Sequence, residues 1–285
     1  MKIGLAGAGL MGHGLGRNLL KHGHELRVIA HKKREVVDDL VAHGAREVSS
    51  LQALAEGADI LLLCLPGSRE VEAFVESLSP HLKAGQIIVD AGTSDPASCK
   101  MIATRLQQIG VGFADAPMAG GPEQALAGET GVLVGASANI FTRIRPMLSA
   151  YAKTIAHMGD VGRGASAKLV SNYLVTGMIS LITDCFAVAK AADVDANKLY
   201  DVMLAGSGNS GALRKMAGPA MQGDFDGYKF ALANAGKDIG YFVKMAQSLD
   251  ALSPLAQEIQ HSFTRALEKS DPQRNVSQLL KGSIG

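Results

Sequence analysis

Up to about residue 160, short apolar runs alternate with turns and with stretches whose apolar positions recur at helical spacing. The runs are Lys2–Ala6, Leu26–Ala30, Ile60–Leu65, Ile87–Asp90, Gly112–Asp115 and Gly131–Val134. They predict strands, and Leu10–His22 and Arg34–His43 between the early runs predict helices. Alternation of this kind gives an α/β fold with a doubly wound parallel sheet, because each parallel connection must be long enough to hold a helix. The runs around Phe113 and Val132 stand closer together and predict antiparallel additions at the sheet edge.

The pattern changes after Gly159-Asp160-Val161-Gly162-Arg163-Gly164. Residues 165–191 contain no proline and a single glycine, Gly177, and they are apolar nearly all round. That predicts one long helix, buried on most sides. At 1.5 Å per residue it runs roughly 40 Å, enough to link two domains and still face a partner subunit. Further helical patterns follow at Ala196–Leu204, Gly236–Leu249 and Pro254–Lys269, with no convincing strand. The chain therefore reads as an α/β domain over 1–161 followed by an all-helical domain over 162–285. Gly206–Gly211 reads as a connector in preference to a mobile loop, since its glycines stop helix continuation.

Charge and composition narrow the class. With 28 Lys plus Arg against 27 Asp plus Glu, the chain has no basic field for nucleic acid, and no such partner is expected. A 47% hydrophobic content over 285 residues allows two domains with sizeable cores. Cys64, Cys99 and Cys185 are odd in number and lack a CxxC, which predicts neither a disulfide framework nor a zinc site and fits a reducing cytoplasm. His13, His22 and His24 lack a metal-ligand pairing and read as surface or packing residues, so no metal is expected. The uncharged window Leu169–Thr183, closed by Asp184, falls short of the ~18–20 apolar residues that a membrane span needs. The N-terminal glycines are too dense for a signal peptide. A soluble cytoplasmic protein is expected.

Gly7-Ala8-Gly9-Leu10-Met11-Gly12 is a GxGxxG element between the first strand and the first helix. Gly7 permits a tight turn, Gly9 lets the backbone approach a pyrophosphate, and Gly12 permits close helix–strand packing. The free N–H groups of the helix start, at Leu10 and Met11, then face the phosphates. The bland alternative is a glycine-rich turn without a ligand; the position after the first strand favours the dinucleotide. The second strand runs into Val28-Ile29-Ala30-His31-Lys32-Lys33-Arg34, with no carboxylate for a ribose 2′-hydroxyl. His31 and Lys32 offer charge to a 2′-phosphate, which favours NADP over NAD and leaves NAD open. Lys33 and Arg34 read equally well as a solvated basic turn.

Taken together, the motifs resemble the β-hydroxyacid dehydrogenases, among them 3-hydroxyisobutyrate dehydrogenase, tartronate semialdehyde reductase and, more distantly, 6-phosphogluconate dehydrogenase. The resemblance covers the whole chain. It rests on the Gly7–Gly12 element, Cys64-Leu65-Pro66-Gly67-Ser68, Asp90-Ala91-Gly92-Thr93-Ser94-Asp95-Pro96, Asp115-Ala116-Pro117-Met118-Ala119-Gly120-Gly121, the stretch Gly162–Asn172 and Lys237-Asp238-Ile239. It implies a Rossmann-type NAD(P)-binding domain, an all-helical substrate and dimerisation domain, and a homodimer or homotetramer. Leu65 and Pro66 match the family's loop over the cofactor, and Thr93 its threonine near the nicotinamide. Lys237 matches a lysine that reaches the cofactor, though a lysine paired with Asp238 is also simply structural.

Lys168 and Asn172 stand four apart, on one face of the long helix. Spacing alone leaves Lys168 balanced between a snorkelling lysine and a desolvated one of lowered pKa suited to general acid–base work. The resemblance implies the catalytic role, with Asn172 holding the substrate oxygen or carboxylate. The Gly120-Gly121 turn offers unobstructed backbone N–H groups to a small carboxylate. Ala119 stands where the family has Ser, and Gly92 where a serine is common, so no single substrate carries over. The reaction implied is hydride transfer between a nicotinamide and a small β-hydroxy acid or its semialdehyde. The rivals are an NADPH-dependent imine reductase, whose members usually replace the lysine, and a non-catalytic dinucleotide-binding scaffold. Ser68, Ser94 and Ser98 lack any Ser–His–Asp context.

Overall fold

The computed structural model describes residues 1–30 and 34–284, in two compact units, Met1–Lys168 and Leu169–Gly285. In the first unit the chain runs β1 (Lys2–Ala6), α1 (Leu10–Lys21), β2 (Glu25–Ile29), α2 (Arg34–Ala42), β3 (Arg46–Val48), α3 (Leu51–Ala55), β4 (Ile60–Leu63) and α4 (Ser68–Leu78). It continues through β5 (Ile87–Asp90), α5 (Pro96–Gln107), β6 (Gly112–Asp115), β7 (Met118–Ala119), α6 (Pro122–Ala127), β8 (Thr130–Gly135), α7 (Ala138–Leu148) and β9 (Ala152–Gly159). The first six strands are parallel, in the order β3-β2-β1-β4-β5-β6. This is the doubly wound order whose direction reverses between β1 and β4, and ligands of such sheets bind outside the carboxyl ends of those strands.

The register explains the continuous apolar runs. Val28, Leu5, Leu62, Val89 and Ala114 lie side by side across five strands and pack on one face of the sheet. Leu61, Leu63, Ile88 and Phe113 pack on the other, so a strand such as Ile60-Leu61-Leu62-Leu63 is apolar at every position. At the carboxyl ends the next row reads Ala6, Leu63, Asp90, Asp115, where buried polarity begins.

The edge corrects one expectation. β6, which carries Phe113, joins the parallel set, and the antiparallel addition begins only at β8, which pairs with β6 and β7. β9 then pairs parallel with β8. The sequence missed β3, β7 and β9, which are short or largely exposed and carry no apolar run.

α8 (Arg163–Ala191) begins in the first unit and continues into the second. The second unit adds α9 (Ala196–Ala205), α10 (Gly211–Ala220), α11 (Leu232–Ser248) and α12 (Pro254–Glu268). Its core gathers Ile179 and Phe186 of α8, Leu213 and Met216 of α10, Ile239 of α11, and Phe263 of α12. α10 was not anticipated, because Gly211, Gly218 and Pro219 weaken its pattern; Ser210 caps it by accepting the Leu213 N–H.

α8 departs from the burial on most sides predicted for it. Val170, Leu174, Leu181 and Val188 are 55–67% exposed, and they fall at intervals of 4, 7 and 7, on one face. An apolar count shows that a helix has several apolar faces but not which of them its own chain covers. With 29 residues, α8 is also long and apolar enough to cross a membrane by length and composition, which the shorter uncharged window had not suggested.

Candidate active site

The glycines at the end of β1 have separate physical jobs. Gly7 has φ +92°, and a Cβ there would lie 2.2 Å from the Cys64 carbonyl oxygen. A Cβ on Gly12 would lie 2.1 Å from the Gly7 carbonyl oxygen, so only glycine lets α1 sit this close to the turn. Gly9 is different: a Cβ there meets nothing within 4 Å. It caps α1 without any side-chain acceptor, which leaves the helix start facing open space. An uncluttered helix N-terminus at the sheet's switch point fits a dinucleotide pyrophosphate. Leu10 is exposed beside it, and Met11 turns inward against the core.

His31 and Lys32 lie outside the described residues. Arg34 is held by Glu47 through two hydrogen bonds of 2.6 and 2.8 Å, and by Asp38 at 2.7 Å. These carboxylates raise its pKa further and fix it as a partner of its own chain.

The ends of β4 and β5 meet the glycine turn. Leu65 is half-buried, with its side chain beside Gly7, and Pro66 is exposed. A Cβ on Gly92 would lie 2.8 Å from the Leu65 carbonyl oxygen, which gives a steric reason for glycine there. Asp90, 1% exposed, accepts from the Gly92 N–H at 2.9 Å and from Ser94 Oγ at 2.6 Å, shaping the turn that presents half-buried Thr93. Ser68 Oγ accepts the Asp95 N–H and Ser98 Oγ donates to Glu72, both structural uses of a hydroxyl.

Gly120, with φ +128°, and Gly121 form the turn before α6. Here the geometry adds something the sequence did not show. The Gly121 N–H donates to Gln124 Oε1 at 2.9 Å, so a carboxylate binding at this turn meets a side chain already there.

Asp115 was present in the motif but had no role assigned. It is 1% exposed and accepts two backbone hydrogen bonds of 2.6 Å, from Gly162 and Ala165 at the start of α8. Burial raises its pKa to about 6, against the lowering effect of those N–H groups. Lys168 follows on the next turn, half-buried.

In the second unit Asn172, buried on α8, donates its amide N–H to Asp238 Oδ2 at 2.6 Å. Lys237 Nζ lies 2.9 Å from Asp238 Oδ1 and 5.1 Å from the centre of the Tyr241 ring. Asp238, 3% exposed, is thus the acceptor that orients both Asn172 and Lys237. Sequence reasoning named it only as a possible pair for Lys237; its adjacency to that lysine was the one available signal. The contacts thus bring the Gly7 turn, Leu65 and the Gly92–Thr93 turn together in the first unit, and Asn172 and Lys237 together in the second.

Residues 2–159 match the family described as the NAD binding domain of 6-phosphogluconate dehydrogenase. Residues 162–282 match the one described as NAD-binding of NADP-dependent 3-hydroxyisobutyrate dehydrogenase. The chain is 34% identical to 2-(hydroxymethyl)glutarate dehydrogenase of Eubacterium barkeri, over 84% of this chain and 80% of that one. It is 30% identical to 3-hydroxyisobutyrate dehydrogenase of Pseudomonas aeruginosa, over 92% and 91%. The crystal structure of a 3-hydroxyisobutyrate dehydrogenase from Salmonella typhimurium superposes with a TM-score of 0.88 at 26% identity, covering 99% of each chain. By contrast, an imine reductase from Myxococcus stipitatus shares 17% identity at a TM-score of 0.67, over 99% and 98%, a likeness of fold alone. The chain belongs to the β-hydroxyacid dehydrogenase family of NAD(P)-dependent oxidoreductases.

Proposed function

We propose that the protein interconverts a small, carboxylate-bearing β-hydroxy acid and its semialdehyde, with Lys168 as the general acid–base group and NADP as the preferred coenzyme. The observation that carries this reading is the placement of a half-buried lysine one turn beyond the anchored start of α8. When bound, the nicotinamide supplies or accepts the hydride. Lys168 takes the hydroxyl proton in oxidation and returns a proton to the substrate oxygen in reduction. Gly7, Gly9, Leu10, Met11 and Gly12 hold the pyrophosphate, with Leu65, Pro66, Thr93 and Lys237 completing the coenzyme contacts. His31 and Lys32 provide the charge for a 2′-phosphate, since Arg34 is already paired with Glu47 and Asp38.

The substrate carboxylate is assigned to the Gly120-Gly121 turn and to Asn172. Gln124 yields the Gly121 N–H when the carboxylate arrives, and its amide can then donate in turn. Asp238 accepts an Asn172 amide N–H and so holds in place the side chain assigned to the substrate. The relatives named for 2-(hydroxymethyl)glutarate and 3-hydroxyisobutyrate make acids with a hydroxymethyl branch the first compounds to try. The exposed α8 stripe supports a homodimer or homotetramer, and the composition supports a cytoplasmic enzyme.

A screen of these hydroxy acids, of short semialdehydes and of cyclic imines, with NADPH and NADH side by side, tests substrate and coenzyme together. Turnover confined to imines, or coenzyme binding with no turnover, would overturn the proposal. Lys168→Ala tests the role of the lysine. General acid–base catalysis typically contributes about 10²–10⁴-fold, so a fall in kcat smaller than about 10-fold would rule it out.

A further inference from the structure

The start of α8 is locked to the sheet more tightly than a helix cap requires. A Cβ on Gly164 would lie 2.4 Å from the Leu133 carbonyl oxygen and 2.7 Å from the Gly135 nitrogen. One on Gly135 would lie 2.6 Å from both carboxylate oxygens of Asp115. Gly162 has φ +89° and packs against Lys100. Into this junction Asp115 sends one oxygen to the Gly162 N–H and the other to the Ala165 N–H. Each oxygen is an acceptor, an arrangement that suits the ionised carboxylate and suits no neutral side chain equally well.

We propose that Asp115 is a positioning residue for the reaction: its ionised carboxylate fixes the first turn of α8, and through that turn the place of Lys168. This deepens the proposed function and rests on Lys168 being the proton carrier. The argument is geometric. Asp115 closes β6, at the buried carboxyl end of the parallel sheet, and Lys168 is the third residue after Ala165 on the same helix. A proton on either oxygen turns an acceptor into a donor aimed at an N–H, and one of the two bonds is lost. Among the described residues, the titratable groups facing Asp115 are Asp90, its register partner on β5, and Cys99 on α5. Lys100 of α5 packs on Gly162, while Asp160 and Arg163 of the adjoining turn are exposed.

The test compares the full-length wild type with Asp115→Asn and Lys168→Ala. A 1 Å misplacement of a catalytic group costs about 100-fold, so Asp115→Asn is expected to lower kcat about 10- to 100-fold at pH 8, leaving the coenzyme KM within about 2-fold. In the wild type kcat is expected to fall on the acid side with a midpoint of about 6, and Asp115→Asn is expected to lose that limb. A residue that served stability alone would move the melting temperature and neither of these readouts. Hydrogen exchange without ligand gives a readout independent of turnover. After correction for intrinsic rates, the amides of residues 163–168 are expected to exchange faster in the variant, and in the wild type at pH 5 than at pH 7.5. Those of residues 179–186 should not change. The wild-type comparison stands even where the variant fails to fold. Unchanged exchange in this turn, or wild-type kcat and pH profile in Asp115→Asn beside an inactive Lys168→Ala, overturns this inference alone. Full turnover by Lys168→Ala overturns the catalytic assignment and this one with it.

Discussion

Gly9 and Gly12 share a motif but should respond in opposite ways to one added methyl group. At Gly12 the new carbon meets the Gly7 carbonyl oxygen, so Gly12→Ala is expected to destabilise the ligand-free protein by about 1–3 kcal/mol, the usual cost of overpacking. At Gly9 it meets nothing, and Gly9→Ala should leave ligand-free stability within about 0.5 kcal/mol, as for most surface changes. It should nevertheless weaken coenzyme binding, because the space it fills is the space the pyrophosphate would use. Urea unfolding and a coenzyme titration on both variants check the pair; equal effects on stability would show that Gly9 is a packing glycine too. Asp238 makes a similar point in the helical unit. Asp238→Ala leaves the buried Asn172 amide without its acceptor, and is expected to cost about 1–3 kcal/mol in the same unfolding measurement.

At the scale of the element, Asp115 links helix position to pH. Its folded pKa of about 6 lies above the ordinary carboxyl value of 3.8. The folded state therefore holds this proton more tightly than the unfolded chain does. The resulting stability is fully present below pH 3.8 and is lost as pH rises through about 6. Relative to Asp115→Asn, the wild type should lose roughly 3 kcal/mol across that window, at 1.36 kcal/mol per pKa unit. Urea midpoints of both proteins at pH 4 and pH 7 measure the difference; parallel midpoints would remove the pH linkage. Neutralising the carboxyl relieves a buried charge even as it loosens one helical turn, so greater stability and lower activity are expected together.

The same scale shows how much was legible in advance. The central strands could be read because both faces of the sheet are buried, which leaves unbroken apolar runs such as Ile60–Leu63. β9 could not, since all eight of its positions are partly or fully exposed, in no regular alternation, and they include Lys153 and His157. The Gly7–Gly12 turn was legible because Gly7 and Gly12 answer local sterics. The pairing of Asn172 with Asp238 spans 66 positions and has no local trace. The Gln124 bond to Gly121 spans only three positions, and Pro122 followed two residues later by Gln124 was the local sign of it.

For the whole molecule, the exposed stripe of α8 is the feature to be tested in solution. Val170, Leu174, Leu181 and Val188 keep a near seven-residue period, which lets two helices remain in contact along their length. Leu174→Glu combined with Leu181→Glu is expected to convert an assembly into monomers without changing the fold, as read by sedimentation and circular dichroism. An unchanged sedimentation coefficient would place the contact elsewhere. The glycine junction at the head of this helix carries a different lesson. Gly162 answers to its positive φ and Gly164 to backbone crowding, so a chain that had abandoned catalysis would still be obliged to keep them. Kinship can be recognised from that stretch, whereas the turnover proposed above is to be judged at the amine six residues after the first of those glycines.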